Sequence, residues 1–202
     1  KEVKLLAENN NEIVLLSGDI GNRMFDDYKK VAPDRFLNCG IAEANMMSMA
    51  AGLAMNGMRP FVYTITPFAT LRCLEQIRTS VAYHEANVVI VGTGSGISYA
   101  ELGPSHHSLD DIGILSMIPN LNIFTPCDPN EVKESMEDAL KIDLPSYIRL
   151  GKKGEPVMKS INDEFLGYFP KLIETIETCF YGNVRFISIY VHPKMRDSGK
   201  GT

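Results

Sequence analysis

The chain has 202 residues, 45% of them hydrophobic and 22% charged, with a formal net charge of −5. These values fit one good globular core plus at most an appendage. They give no Lys/Arg stripe for nucleic acid and no apolar run near the roughly 20 residues that span a bilayer. Cys39, Cys73, Cys127 and Cys179 contain no CxxC pair, so neither a metal site nor a disulfide frame is indicated, and a reducing cytoplasm is the expected compartment. No signal peptide is recognisable. The 10 methionines read as core filling.

The first predicted strand covers residues 13–16 and runs into Ser17-Gly18-Asp19-Ile20-Gly21. A buried parallel strand ending in a small-residue turn with one acid has the shape of a site edge, although Asp19 could equally cap a turn. A short polar helix is predicted over 26–31, stopped by Pro33. Phe36 and Leu37 are strand material, Asn38-Cys39-Gly40 is a break, and from Ile41 the period is helical. Met47, Ala50, Ala51 and Ala54 fall at i, i+3, i+4 and i+7 on one apolar face, and Asn56-Gly57 is a helix stop. The first turn of that helix carries Glu43, where a strand gives way to a helix. Two readings compete. Glu43 is either an acid favoured by the helix dipole, worth a few tenths to about 1 kcal/mol, or a functional acid in the crevice where open α/β sheets bind ligands.

Residues 61–65 are a strong β run. Pro67 stops it and opens a helix predicted over 68–83, with Leu71, Leu74, Ile77 and Val81 as its apolar line. Residues 87–91 are predicted as a strand, apolar throughout from Val88 to Val91. Gly92-Thr-Gly-Ser-Gly96 follows, but it is not GxGxxG and no helical pattern comes at once, so a dinucleotide fingerprint fails on context. The better reading is a flexible loop through Gly103. It ends in Gly103-Pro-Ser-His106-His107-Ser-Leu-Asp110-Asp111, with Ser108 or Asp110 able to cap the next helix. Such a histidine pair usually faces solvent, yet here it closes a long loop at a strand's carboxyl end, where function concentrates. A helix over 112–118, a strand over 121–125, a helix over 130–140 and a strand over 146–150 complete the alternation. It predicts an α/β fold: a doubly wound, mainly parallel sheet with helices on both faces. Residues 158–202 read as an extension beyond a domain of residues 1–157. A helix over 165–180 and a strand over 184–191 are expected there, with His192 at the surface and no visible chemistry.

Several segments come in one order at one set of spacings: Phe36-Leu-Asn-Cys-Gly-Ile-Ala-Glu43, Gly52-Leu-Ala, Arg59-Pro60, Gly103-Pro-Ser-His106, Ile118-Pro-Asn-Leu, Thr125-Pro-Cys-Asp-Pro-Asn-Glu131 and Pro145-Ser-Tyr-Ile-Arg-Leu150. Together they resemble the pyrimidine-binding domain of transketolase and its relatives, including deoxyxylulose-phosphate synthase, over about residues 1–157. The resemblance implies the thiamine-diphosphate-binding fold and a transferase that moves a two-carbon ketol unit between sugar phosphates. It implies that Glu43 hydrogen-bonds N1′ of the cofactor's aminopyrimidine and so promotes loss of the thiazolium C2 proton. Burial against an apolar ring would favour a shared proton on such a carboxyl, against an opposing helix-dipole effect of about 1 kcal/mol or less. By the same resemblance Phe68 is an aromatic wall for that ring, Asp19 an acid near the cofactor, His106 a catalytic and substrate-contacting histidine, His107 its neighbour at the substrate, and Lys152 a basic group for the sugar phosphate.

The family holds the diphosphate and its Mg²⁺ on another domain, with a Gly-Asp-Gly start that this sequence lacks. The chain is therefore expected to carry half a site and no metal ligands, to need a diphosphate-binding domain or N-terminal transketolase subunit, and to be inactive alone. A homodimer or heterotetramer is the family expectation. Two departures stand out. Leu102 occupies the position of an acid before the Gly-Pro run, with Glu101 one place earlier, and Gly94 replaces a histidine after the preceding strand. A 2-oxoacid dehydrogenase E1 beta-type subunit is a nearby alternative, against which the Gly-Pro-Ser-His-His loop argues. A non-catalytic module that kept the fold is another.

Overall fold

The computed structural model describes residues 1–21 and 23–152. The expected extension, including Cys179 and His192, lies outside the described residues. Six strands form one sheet: β1 (Ile13–Ser17), β2 (Phe36–Asn38), β3 (Arg59–Ile65), β4 (Val89–Thr93), β5 (Asn122–Phe124) and β6 (Ser146–Leu150), in the order β2-β1-β3-β4-β6-β5. Every adjacent pair is parallel. The strands need no polar alternation because both faces are covered. Val14, Leu16, Val62, Ile90 and Tyr147 point into one core, and Ile13, Leu15, Phe61, Val89 and Ile148 into the other, which is the period-2 consequence of the pleat.

The helices are α1 (Glu2–Asn9), α2 (Asp26–Val31), α3 (Glu43–Met55), α4 (Thr66–Ala69), α5 (Leu74–Gln76), α6 (Asp111–Leu115) and α7 (Pro129–Lys141). Residues of α1, α2 and α7 line the second core, and those of α3, α6 and the segment after α5 line the first. The expected doubly wound architecture is therefore the observed one. On α3 the buried residues are Glu43, Met46, Met47, Ala50 and Ala51, and Gly57 closes the helix at φ +86°. The start of α7 is fixed by a reciprocal cap: Asp128 accepts from the Glu131 backbone N–H at 2.9 Å, and Glu131 accepts from that of Cys127 at 2.8 Å.

Three local expectations change. Helix α1 was not apparent in the sequence, since only Val3 and Ala7 are buried along it. Gly92 and Thr93 belong to β4 rather than to the following loop, and a 3₁₀ turn, Ala100–Leu102, interrupts that loop. The predicted helix over 68–83 is broken. After α4 comes a 3₁₀ turn, Leu71–Cys73, then α5 and a π-helical turn, Ile77–Ala82. Thr70 is the break, with φ −117° and ψ −84°. Its hydroxyl donates to the Thr66 carbonyl at 2.7 Å, a back-bond that competes with regular helix geometry. The apolar line is split accordingly: Ile77 and Val81 are fully buried, whereas Leu71 is 39% exposed.

Candidate functional site

The chain leaves β1 toward β2 and leaves β3 toward β4, in opposite directions along the sheet. Between the carboxyl ends of β1 and β3 lies the switch point where open α/β sheets accept ligands. The backbone N–H of Gly18 donates to the Tyr63 carbonyl at 3.1 Å and closes this end. A methyl group on Gly18 would come within 3.1 Å of Thr64 Oγ1 and 3.3 Å of Glu43 Cγ, so a small residue is needed here. Glu43 enters this corner from the first turn of α3 and is only 3% exposed. Thr64 Oγ1 beside it is buried without a hydrogen-bond partner.

From Glu43 a continuous line of contacts runs across the carboxyl end of the sheet. Arg72 NH1 donates to Glu43 Oε2 at 2.9 Å. The Arg72 guanidinium carbon lies 4.0 Å from the centre of the Phe68 ring, within cation–π range. Phe68 meets His106 edge-on, with centroids 5.1 Å apart. His106 meets Tyr99 at 6.1 Å, and Lys152 Nζ lies 4.8 Å from the Tyr99 ring centre. The His106 Nδ1 is 3.0 Å from Ser105 Oγ. Glu43, Phe68, His106 and Lys152 were each singled out in the sequence, and the fold joins them through two residues that were not, Arg72 and Tyr99. The remaining two stand outside this line. Asp19 is exposed at φ +56° and accepts from Asn38 Nδ2 at 2.9 Å. The His107 Nε2 turns back to the Ala100 carbonyl at 3.3 Å.

The two departures from the family pattern acquire a geometry. A side chain at Gly94 would drive its Cβ into the Tyr99 ring, and Gly94 sits at φ +85°. Tyr99 thus fills the space that any larger residue at 94 would need. Leu102 is 52% exposed at the rim, and Glu101 is exposed as well. Cys73 lies next to the site, where burial and the Glu43 charge push its thiol up to about 12. Among the described residues, no group of three or more His, Cys, Asp and Glu could hold a metal ion. No described helix is long and apolar enough to cross a membrane.

A second acid, Asp111 at the start of α6, is buried against β6. Asp111 Oδ2 accepts from Tyr147 OH at 2.7 Å and from Arg149 Nε at 2.8 Å. Arg149 NH2 also donates to the Ser108 carbonyl at 2.9 Å, and Ser108 forms a backbone bridge with Gly96. The cluster therefore ties the His106 loop to β6 and to the loop after β4. Burial, then the Asp111 charge, raises the Tyr147 hydroxyl well above its ordinary range.

Residues 1–156 match the family model described as the transketolase pyrimidine binding domain. An apulose-4-phosphate transketolase subunit of Phocaeicola vulgatus is 36% identical over 161 residues, covering 79% of this chain and 51% of that protein. A 6-deoxy-6-sulfo-D-fructose transketolase subunit of Clostridium sp. is 36% identical over 160 residues, covering 79% and 50%. Human transketolase is 34% identical over 162 residues, covering 79% of this chain and 26% of its own length. A solved structure described as a split gene transketolase, inactive beta4 tetramer, superposes with a TM-score of 0.70 at 36% identity, covering 80% of this chain and 52% of that one. The chain spans about half the length of the subunit relatives it matches.

Proposed function

Because the chain belongs to the transketolase family, through its pyrimidine-binding domain, we propose that it supplies one half of a thiamine-diphosphate site in a split transketolase. The observation that carries this reading is the corner formed by Glu43, Gly18, Thr64 and Phe68 at the switch point. A flat heteroaromatic ring with a protonatable nitrogen needs a buried carboxyl at its edge and an apolar face beside it. Glu43 and Phe68 meet both needs, and the unpartnered Thr64 hydroxyl adds a polar atom in the same corner. The residues present therefore fit the cofactor's aminopyrimidine.

When bound, thiamine diphosphate supplies the carbanion chemistry that breaks and remakes a C–C bond of a ketose. The roles of this chain follow from its own groups. Glu43 holds or shares the proton at N1′ in a corner that excludes water. Phe68 orients the ring. His106, edge-on to Phe68, faces the sugar's first hydroxyls and moves a proton there. Tyr99 and Lys152 form the outer wall, with Lys152 as the cation for a sugar phosphate and His107 at the loop's rim. Asp19, at the end of β1, borders the cofactor. The diphosphate and Mg²⁺ belong to a partner domain or N-terminal subunit, so the chain alone is inactive and works as part of a homodimer or heterotetramer. The pyrimidine domain ends at about residue 157, and 158–202 are an appendage to it.

Gly94, Tyr99 and Leu102 together favour a rebuilt substrate edge. The named relatives act on different sugars, in keeping with variation there. The test mixes this chain with a diphosphate-binding transketolase subunit, thiamine diphosphate and Mg²⁺, and assays ketol transfer over a panel of ketose phosphates. Activity that needs both chains supports the proposal. Activity of this chain alone contradicts it. Stable association with no turnover on any ketose would instead favour a non-catalytic module.

A further inference from the structure

Arg72 makes, with its own side chain, the two contacts that the reading above reserves for the aminopyrimidine. Its guanidinium donates to Glu43 Oε2 at 2.9 Å and lies 4.0 Å over the Phe68 ring centre. A guanidinium is planar, cationic and rich in donors, so it resembles a small protonated heteroaromatic ring in shape and hydrogen bonding. We propose that Arg72 and the aminopyrimidine are alternative occupants of one place, and that Arg72 must turn out before the ring can seat. This inference rests on the assignment of Glu43 and Phe68 to the cofactor.

Three observations support an exchangeable contact. First, Glu43 is 3% exposed, and a buried carboxylate left without a partner is costly, so one occupant has to be replaced by another. Second, the Arg72 side chain is 44% exposed, which leaves it a way out to solvent. Third, it springs from the 3₁₀ turn Leu71–Cys73, just past the Thr70 break. Arg72 follows Phe68 by four residues across the Thr70 break, and its guanidinium comes back over the Phe68 ring. The consequence is a conformational tax on cofactor entry. Apparent affinity is the intrinsic affinity multiplied by the fraction of chains whose Arg72 is turned away.

The test titrates 4-amino-5-hydroxymethyl-2-methylpyrimidine into the full chain and follows binding by ligand-observed NMR, with no partner and no turnover required. Arg72→Ala and Arg72→Gln are expected to bind the probe about tenfold more tightly than the parent, and adding Glu43→Gln to either should erase the gain. Using both variants guards against one that fails to fold, with thermal unfolding as the check. Equal or weaker binding by the folded Arg72 variants overturns the exchange; if the parent's binding is nonetheless lost in Glu43→Gln, the cofactor assignment stands without it. Absence of probe binding in every folded variant overturns both the exchange and that assignment.

Discussion

Among the described residues two buried acids are each paired with an arginine, and the two pairs are held differently. Asp111 is 1% exposed and shares a single oxygen between the Tyr147 hydroxyl and Arg149. Both donors stand on β6, in a sheet paired on either side, and Arg149 is further fixed by the Ser108 carbonyl. Glu43 is almost as buried, but its partner is a half-exposed side chain from an irregular turn. The first pair is held by three hydrogen bonds, two on Asp111 Oδ2 and one from Arg149 to the Ser108 carbonyl; the second has one bond and a ring contact. A buried ion pair embedded in a sheet braces the fold, whereas one whose cation can leave presents its acid for exchange.

Breaking the braced pair should have the largest effect. Asp111→Ala leaves Arg149 and Tyr147 facing an empty acceptor position and is expected to cost about 3–5 kcal/mol, read as a shift of the urea unfolding midpoint with unchanged slope. A loss below about 1 kcal/mol would remove the contrast. A second strain falls on the same braced loop. Gly94→His forces a side chain into the Tyr99 ring at positive φ and should cost about 1–3 kcal/mol, with the loss reduced when Tyr99→Ala is made as well. Additive losses in that double mutant would contradict the packing argument.

Alkaline unfolding sharpens the comparison further. Tyr147 is raised above its ordinary 10.0 by burial first and by Asp111 second. A raised folded value means that the unfolded chain ionises first. The associated stability is therefore intact below pH 10 and is lost as pH rises above it, with a slope of about 1.4 kcal/mol per pH unit for one group. Tyr147→Phe should flatten that limb, and an unchanged limb would locate the effect elsewhere. Cys73, raised from 9.0 to about 12, should add a loss beginning near pH 9. The smallest change is expected at the exchangeable pair, where Arg72→Gln, which keeps an amide donor beside the buried Glu43, should alter stability by no more than about 1 kcal/mol, as read by the same denaturation.

Much of this was legible in the sequence, for identifiable reasons. Continuous apolar runs between small-residue turns marked the parallel strands, because a strand buried on both faces needs no polar alternation. Glu43 stood out as the acid where a strand gives way to a helix, its face continued by Met47, Ala50 and Ala51, and the family resemblance decided between its two readings. Arg72 and Tyr99 escaped notice. Reading 68–83 as one regular helix put Leu71 and Leu74 on the inner face and Arg72 by default on the outer one, and no periodicity forecasts the Thr70 break. Tyr99 sits in a loop whose path depends on long-range contacts. The Asp111 cluster joins residues 36 and 38 positions apart, a pairing that only the sheet order creates. The histidine pair shows both outcomes, since His106 joins the line of contacts and His107 turns back on its own loop.

If Glu43 serves the proposed chemistry while Asp111 braces the fold, neutralising Glu43 separates the two. The most direct measurement makes Glu43→Gln and follows two quantities: unfolding free energy of the chain, and ketol transfer after mixing with a diphosphate-binding subunit, thiamine diphosphate and Mg²⁺. Stability within about 1 kcal/mol of the parent and a loss of at least about 100-fold in turnover are expected. A variant that loses several kcal/mol of stability, or that keeps its turnover, would contradict that separation.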